Sequence, residues 1–167
     1  MPLWRPFLAG DLAAVSAIAR TVHPAFPEDD AVFIDRVTIA PQTCLILDIE
    51  GQPAGYVLAH PWRLGSVPAL NTVLEEIPPS PDTLYIHDLA LLPCARGTGA
   101  ARQVVDHLAM ASLSLGTMSL VAVNGSMPFW TRMGFSRYED ETLAAKLASY
   151  EPDACYMVRM SVLPDAV

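Results

Sequence analysis

A chain of 167 residues that is 52% hydrophobic and only 17% charged carries enough apolar material for one compact domain and too much for a disordered or fibrous chain. With 10 Lys and Arg against 18 Asp and Glu, its formal net charge of −8 repels a phosphate backbone and disfavours a nucleic-acid partner. The same acidity serves solubility, and it would also attract a cationic amine.

In chain order, Leu3 to Phe7 reads as a short strand. Gly10 and Asp11 then open an amphipathic helix that runs to about Val22 with Leu12, Val15, Ile18 and Ala19 on one face, Asp11 accepting from the N–H groups at its start. His23 and Pro24 stop it. A second helix is expected from Asp30 to about Val37, followed by a hairpin of Cys44 to Ile49 and Ala54 to His60 around Glu50, Gly51 and Gln52. Residues 61–82 are rich in proline and predict a long surface connection with a helical turn near Leu70 to Glu76. Thr83 to Leu92 is a mostly apolar strand, Gly97 to about Leu115 a helix, Met118 to Val123 a buried strand and Ser126 to Met133 a short helix. Strand, helix, strand implies a parallel pair with a right-handed crossover. A strand through Tyr138, a helix from Glu141 to Tyr150 and a last strand from Ala154 to Val162 complete a single domain over residues 1–167.

Cys44, Cys94 and Cys155 are an odd number without a CxxC pair, so neither a disulfide framework nor a zinc site is expected, and a reducing, cytoplasmic setting is. Asp11 interrupts the only stretch resembling an export signal, and polar residues and Pro128 break the uncharged run from Leu108 to Thr131, so no membrane span is expected.

Chemistry concentrates in Tyr85 to Ala101. Pro93 cannot donate to a sheet ladder, so pairing fails there and the chain turns. From Arg96 through Gly97, Thr98, Gly99, Ala100 and Ala101, small residues leave backbone N–H groups uncovered at a helix N-terminus, which suits a diphosphate; Arg96 adds a full charge and the glycines permit close approach. No Gly-Lys-Ser/Thr follows, which excludes a P-loop, and the turn lacks the spacing and position of a dinucleotide fingerprint.

These residues resemble the GNAT superfamily of N-acetyltransferases, whose signature is Arg or Gln, two residues, Gly, one residue, then Gly or Ala; Arg96, Gly99 and Ala101 fill it in register. The family's later pattern of Asn at a strand end, an aromatic helix and Gly-Phe is met by Asn124, Phe129, Trp130, Gly134 and Phe135. The resemblance implies an α/β (α+β) GNAT fold. Its mixed sheet has about six or seven strands, is flanked by helices, and splays between the fourth strand, ending at Leu92, and the fifth, ending at Val123. Acetyl-CoA would lie in the gap, its pantetheine along Leu89, Ala90 and Leu91, its diphosphate on the 96–101 turn, and its thioester beside the Leu91 and Leu92 N–H groups.

What the resemblance implies for catalysis is transfer of acetyl to an unidentified primary amine by direct attack in a ternary complex, releasing CoA, in a monomer or homodimer. His87 is the first candidate to take the amine's proton and Asp88 the reserve; strict strand alternation would put them on opposite faces. Some arylalkylamine acetyltransferases of the superfamily carry a His at the place of His87, whereas other members use an acid on the same strand. Trp130 stands where many members have a Tyr that protonates the departing thiolate, and indole cannot supply that proton. Three alternatives stand: Trp130 only stabilises or packs against the sulfur, Tyr138 or Ser126 supplies a donor, or the thiolate leaves unassisted. His60 could join His87 through water. The acceptor region would draw on His23, Phe26, Glu28, Asp29 and Asp30, on Glu139, Asp140, Glu141 and Tyr150, and on Trp62, Asn71, Glu75 and Glu76. The alternative is a GNAT-like domain that holds acyl-CoA as a sensor or recognition module with little turnover.

Overall fold

The computed structural model describes residues 1–162. Its strands are β1 (Pro2–Pro6), β2 (Cys44–Ile49), β3 (Gln52–Trp62), β4 (Thr83–Leu91), β5 (Thr117–Ala122), β6 (Ser136–Arg137) and β7 (Cys155–Met160). The helices are α1 (Leu12–Val22), α2 (Asp30–Ile39), α3 (Ala100–Ala111), α4 (Met127–Arg132) and α5 (Ala144–Tyr150). One seven-stranded sheet has the order β1-β2-β3-β4-β5-β7-β6, antiparallel throughout except for the parallel β4–β5 pair.

The apolar faces of α1 and α2 bury Val15, Ile18 and Phe33 against Ile46, Tyr56, Leu58 and Ala90 on one side of the sheet. On the other side, Val104, Val105 and Leu108 of α3 and Trp130 of α4 pack on Val57, Ala59, Leu84, Ile86, Met118 and Leu120. The sheet is therefore covered on both faces where β3, β4 and β5 meet, which suits its central parallel pair.

The β2–β3 hairpin turns through Glu50 and Gly51, at φ 52° and 79°. Two positive φ values in a two-residue loop match the strand twist, and they tighten the expected turn so that Gln52 already pairs with Ile49. Asp11 does not cap α1. Its carboxylate reaches back to the Leu8 N–H at 2.8 Å and takes both guanidinium nitrogens of Arg5, at 2.8 and 2.9 Å.

The helical turn expected near Leu70 to Glu76 is absent. Asn71 and Glu75 have φ of 50° and 69°, outside the right-handed helical region. The local backbone groups bond to α2 instead: Asp35 accepts the N–H groups of Leu74 and Glu75 at 2.9 and 2.8 Å, and buried Arg36 donates to the Thr72 carbonyl at 3.0 Å. Helix α3 is also shorter than its apolar pattern suggests. Gly97 and Gly99 take φ of 74° and 84°, so the helix begins only at Ala100, and residues 112–115 close in turns on Gly116 at φ 96°.

Candidate active site

The β4–β5 pair holds for Leu84, Tyr85 and Ile86 opposite Met118, Ser119 and Leu120, and there it stops. Beyond Ile86 the two strands part. The Leu92 N–H is given to the Ala54 carbonyl at 2.9 Å, and antiparallel bonding alternates, so Leu91 and Leu89 turn their N–H and C=O groups away from β3 and into the gap. The expected oxyanion role of Leu92 is corrected by this bond, because its N–H is already engaged. A cleft of about 360 Å³ fills the gap, lined among others by His87, Asp88, Leu89, Leu91, Arg96, Ala101, Asn124, Ser126, Phe129 and Trp130.

At one end lies the turn after Pro93. Among the described residues, the N–H groups of Gly97, Thr98, Gly99, Ala101 and Arg102 have no backbone acceptor; Gln103 is the first to bond back, to Gly99 at 3.0 Å. Thr98 Oγ1 donates to the Ala95 carbonyl at 2.7 Å and accepts weakly from Ala100 N–H at 3.3 Å, which braces the turn. Arg96 has no ion-pair partner among the described residues. Free N–H groups, a helix N-terminus and an unpaired guanidinium fit a diphosphate.

At the other end the strand departs from the alternation expected of it. Leu58 faces Asp88 across the β3–β4 ladder while the next residue, Ala59, faces Ile86, so His87 is an extra, bulged residue. The bulge switches the parity of the strand. Leu84 and Ile86 face α3, and beyond the bulge it is Leu89 that does so, whereas Ala90 faces α1 and α2. His87 and Asp88 therefore both line the cleft, which corrects the expectation that they cannot.

Each belongs to a histidine–carboxylate pair with the connection between α1 and α2. His87 Nε2 is 2.8 Å from Glu28 Oε1. His23 Nε2 is 2.7 Å from Asp88 Oδ1, a charge contact without hydrogen-bond alignment, and the other Asp88 oxygen accepts from the buried Tyr56 hydroxyl. Burial lowers the pKa of His23, but the Asp88 carboxylate, the Leu89 carbonyl and the charge of Glu28 outweigh it and raise the group above its ordinary 6.5. Burial, then the Asp88 charge, pushes the Tyr56 phenol well up, so it stays a donor.

The sign of the His23 shift sets a test. With the folded pKa above the unfolded 6.5, the stability due to the pair is fully present below that pH and is lost as pH rises through the folded pKa. The melting temperature of the wild type should exceed that of His23→Gln most in acid, and the gap should shrink above pH ~6.5; a gap independent of pH would refute the pairing.

Several expected residues are not brought here. Tyr138 follows β6, at the sheet edge beyond β7, and stacks edge-on to Tyr156 in a separate hollow with Glu139, Asp140 and Glu141. It cannot serve the sulfur, because two strands of the sheet, β5 and β7, lie between β6 and β4. His60 lines neither the cleft nor its extension; burial depresses its pKa to about 3 and its Nδ1 faces the Pro61 carbonyl at 3.1 Å. Cys94 is exposed and outside the cleft lining. Trp130 is buried edge-on against Phe129 and Phe135 while also walling the cleft, and Ser126 lines it. Asp29 pairs with Asn71, tying the proline-rich connection to the start of α2. A further pocket of about 60 Å³ continues from the cleft past His23, His87 and Asp88 to Phe26, Glu28, Leu70, Tyr85 and Tyr150. Sequence reasoning missed the Glu28–His87 and His23–Asp88 pairings and the Tyr56 hydroxyl; the signal was two His and two acids, one of each before α2 and one of each in β4.

Among the described residues no group of three or more His, Cys, Asp or Glu could hold a metal ion, and no helix is long and apolar enough to cross a membrane. A family model for the acetyltransferase (GNAT) family matches residues 12–135. No curated protein matches the sequence. Among solved structures the chain is similar to Ard1 from Thermoplasma volcanium, with a TM-score of 0.74 at 16% identity over 97% of this chain and 99% of that one. It is similar to Arabidopsis thaliana Naa50 in complex with the bisubstrate analogue CoA-Ac-MVNAL, with a TM-score of 0.67 at 17% identity over 94% and 96%. The GphF GNAT-like decarboxylase in complex with isobutyryl-CoA gives 0.76 at 17% identity over 96% and 100%. Likeness at these identities speaks for the fold alone.

Proposed function

Because the chain belongs to the acetyltransferase (GNAT) family, we propose that it is a single-domain N-acyltransferase that moves acetyl from acetyl-CoA to a primary amine by direct attack in a ternary complex. The observation that carries this reading is one continuous cleft with free phosphate-binding N–H groups at one end and two histidine–carboxylate pairs at the other. The turn from Arg96 to Ala101 holds the diphosphate, and Leu91 and Leu89 turn a strand edge that β5 does not pair toward the pantetheine amides. The thioester is the end remote from the diphosphate, so it lies nearer Leu89 than Leu91, and the Leu89 N–H is the donor placed for its oxyanion.

His87 takes the amine's proton. Its Nε2 is held by Glu28, which leaves Nδ1 as the accepting atom. Asp88 is less suited, since both its oxygens are engaged by His23 and Tyr56. The neutral amine attacks the thioester carbonyl, the C–N bond forms, the C–S bond breaks, and the nitrogen releases its second proton to solvent as CoA leaves as thiolate. With Tyr138 remote, that departure is unassisted or helped by the Ser126 hydroxyl.

Acceptor-dependent release of CoA thiol from acetyl-CoA, followed with a panel of amines, is the test. Cys94→Ala should release thiol at the wild-type rate, because no acyl-enzyme forms. Tight CoA binding without acceptor-dependent release would favour the recognition module instead.

A further inference from the structure

Glu28 sits in the connection between α1 and α2 with its side chain only 10% exposed. Oε1 is paired with His87, but Oε2 is buried and has no partner among the described residues. A carboxylate oxygen left without a donor in such a place is costly, and it marks where a cationic ligand group would restore the balance. The pocket that Glu28 lines is about 60 Å³, well under the roughly 150 Å³ cavity that accommodates benzene.

The walls of this pocket are held in place. Tyr150 Oη donates to the Pro68 carbonyl at 2.5 Å, joining α5 to the proline-rich connection. That connection is strapped in turn by Asp35, Arg36 and Asp29 of α2 and its start. Two walls, Leu70 and Tyr150, are thus set by segments that are bonded to each other, which fixes the size of the pocket. Burial raises the phenol pKa values of Tyr85 and Tyr150, so neither supplies a competing anion.

Resting on the acyl-transfer reading, we propose that the acceptor is a small primary amine whose ammonium binds the free Glu28 oxygen and whose aliphatic substituent, smaller than a phenyl ring, fills the pocket. Glu28 thereby anchors the ammonium at the end of the cleft where the two histidine–carboxylate pairs lie. A pocket of this volume is too small for the phenyl ring of an arylalkylamine or for more than the first residue of a peptide.

The test titrates isobutylamine, phenethylamine and a tetrapeptide into CoA-saturated protein by calorimetry, with turnover of each measured alongside. Isobutylamine should bind and turn over best. Glu28→Gln should weaken its binding by about tenfold or more, the loss of one charge-assisted hydrogen bond, with CoA affinity unchanged. Preference for phenethylamine or the tetrapeptide, or an unchanged isobutylamine Kd in Glu28→Gln, overturns this proposal and leaves acyl transfer standing. Protein that binds no CoA overturns the acyl-transfer reading instead, and the same isobutylamine titrations on wild type and Glu28→Gln without CoA then decide the Glu28 site separately.

Discussion

Gly99→Val should lose CoA affinity by about a hundredfold or more. Gly99 is the residue before α3 and holds φ at 84°, a conformation that a β-branched residue adopts only with strain of roughly 1–2 kcal/mol. Among the described residues nothing lies within 4 Å of the place a side-chain carbon would take, so they present no clash. The added side chain enters open space beside the start of α3, where the diphosphate is proposed to bind. Valine there would both distort the turn and stand between the diphosphate and its donors. Two lost bonds to a charged group, at roughly 1.5–3 kcal/mol each, correspond to about 10²- to 10⁴-fold in Kd. Calorimetry with CoA checks this, and Gly99→Asn, which tolerates the left-handed region, should keep the wild-type melting temperature and so separate backbone strain from occlusion. Undiminished CoA affinity in Gly99→Val would remove the phosphate site.

His87→Gln should lower kcat by about 10²- to 10⁴-fold, the range for a lost general base, with little change in CoA affinity. Glutamine can still donate to Glu28 Oε1 and fill the bulge, so the geometry of β4 survives while the proton acceptor is gone. Added imidazole should restore part of the rate, an effect that a purely structural role would not show. If His87→Gln stays active while Asp88→Asn or His23→Gln does not, the proton passes through the other pair.

Both predictions draw on a stretch whose main features were legible in the residue order. Pro93 ends a ladder wherever it stands, and Gly97 and Gly99 admit positive φ in any context, so the strand, the turn and the helix behind it follow from chemistry within a few residues. The β2–β3 hairpin was legible for the same reason. The proline-rich connection was not, because its conformation is dictated by the Asp35 and Arg36 side chains, some 36 to 40 positions away. Its local pattern suggested a helical turn only because propensity knows nothing of a distant carboxylate that competes for the same N–H groups.

Residue order alone thus determined the family, the turn that suits a diphosphate and the candidacy of His87 and Asp88, all of which depend on residue type at short spacing. The folded chain decided how those two side chains are used. A single bulged residue, set by the mismatch between β3 and β4 over the packed core, turned both toward one cleft and brought Glu28 to His87 across 59 positions. Strand periodicity carries no signal for a register shift, because the shift is a compromise between two strands and the helices on either face, and no one segment contains it.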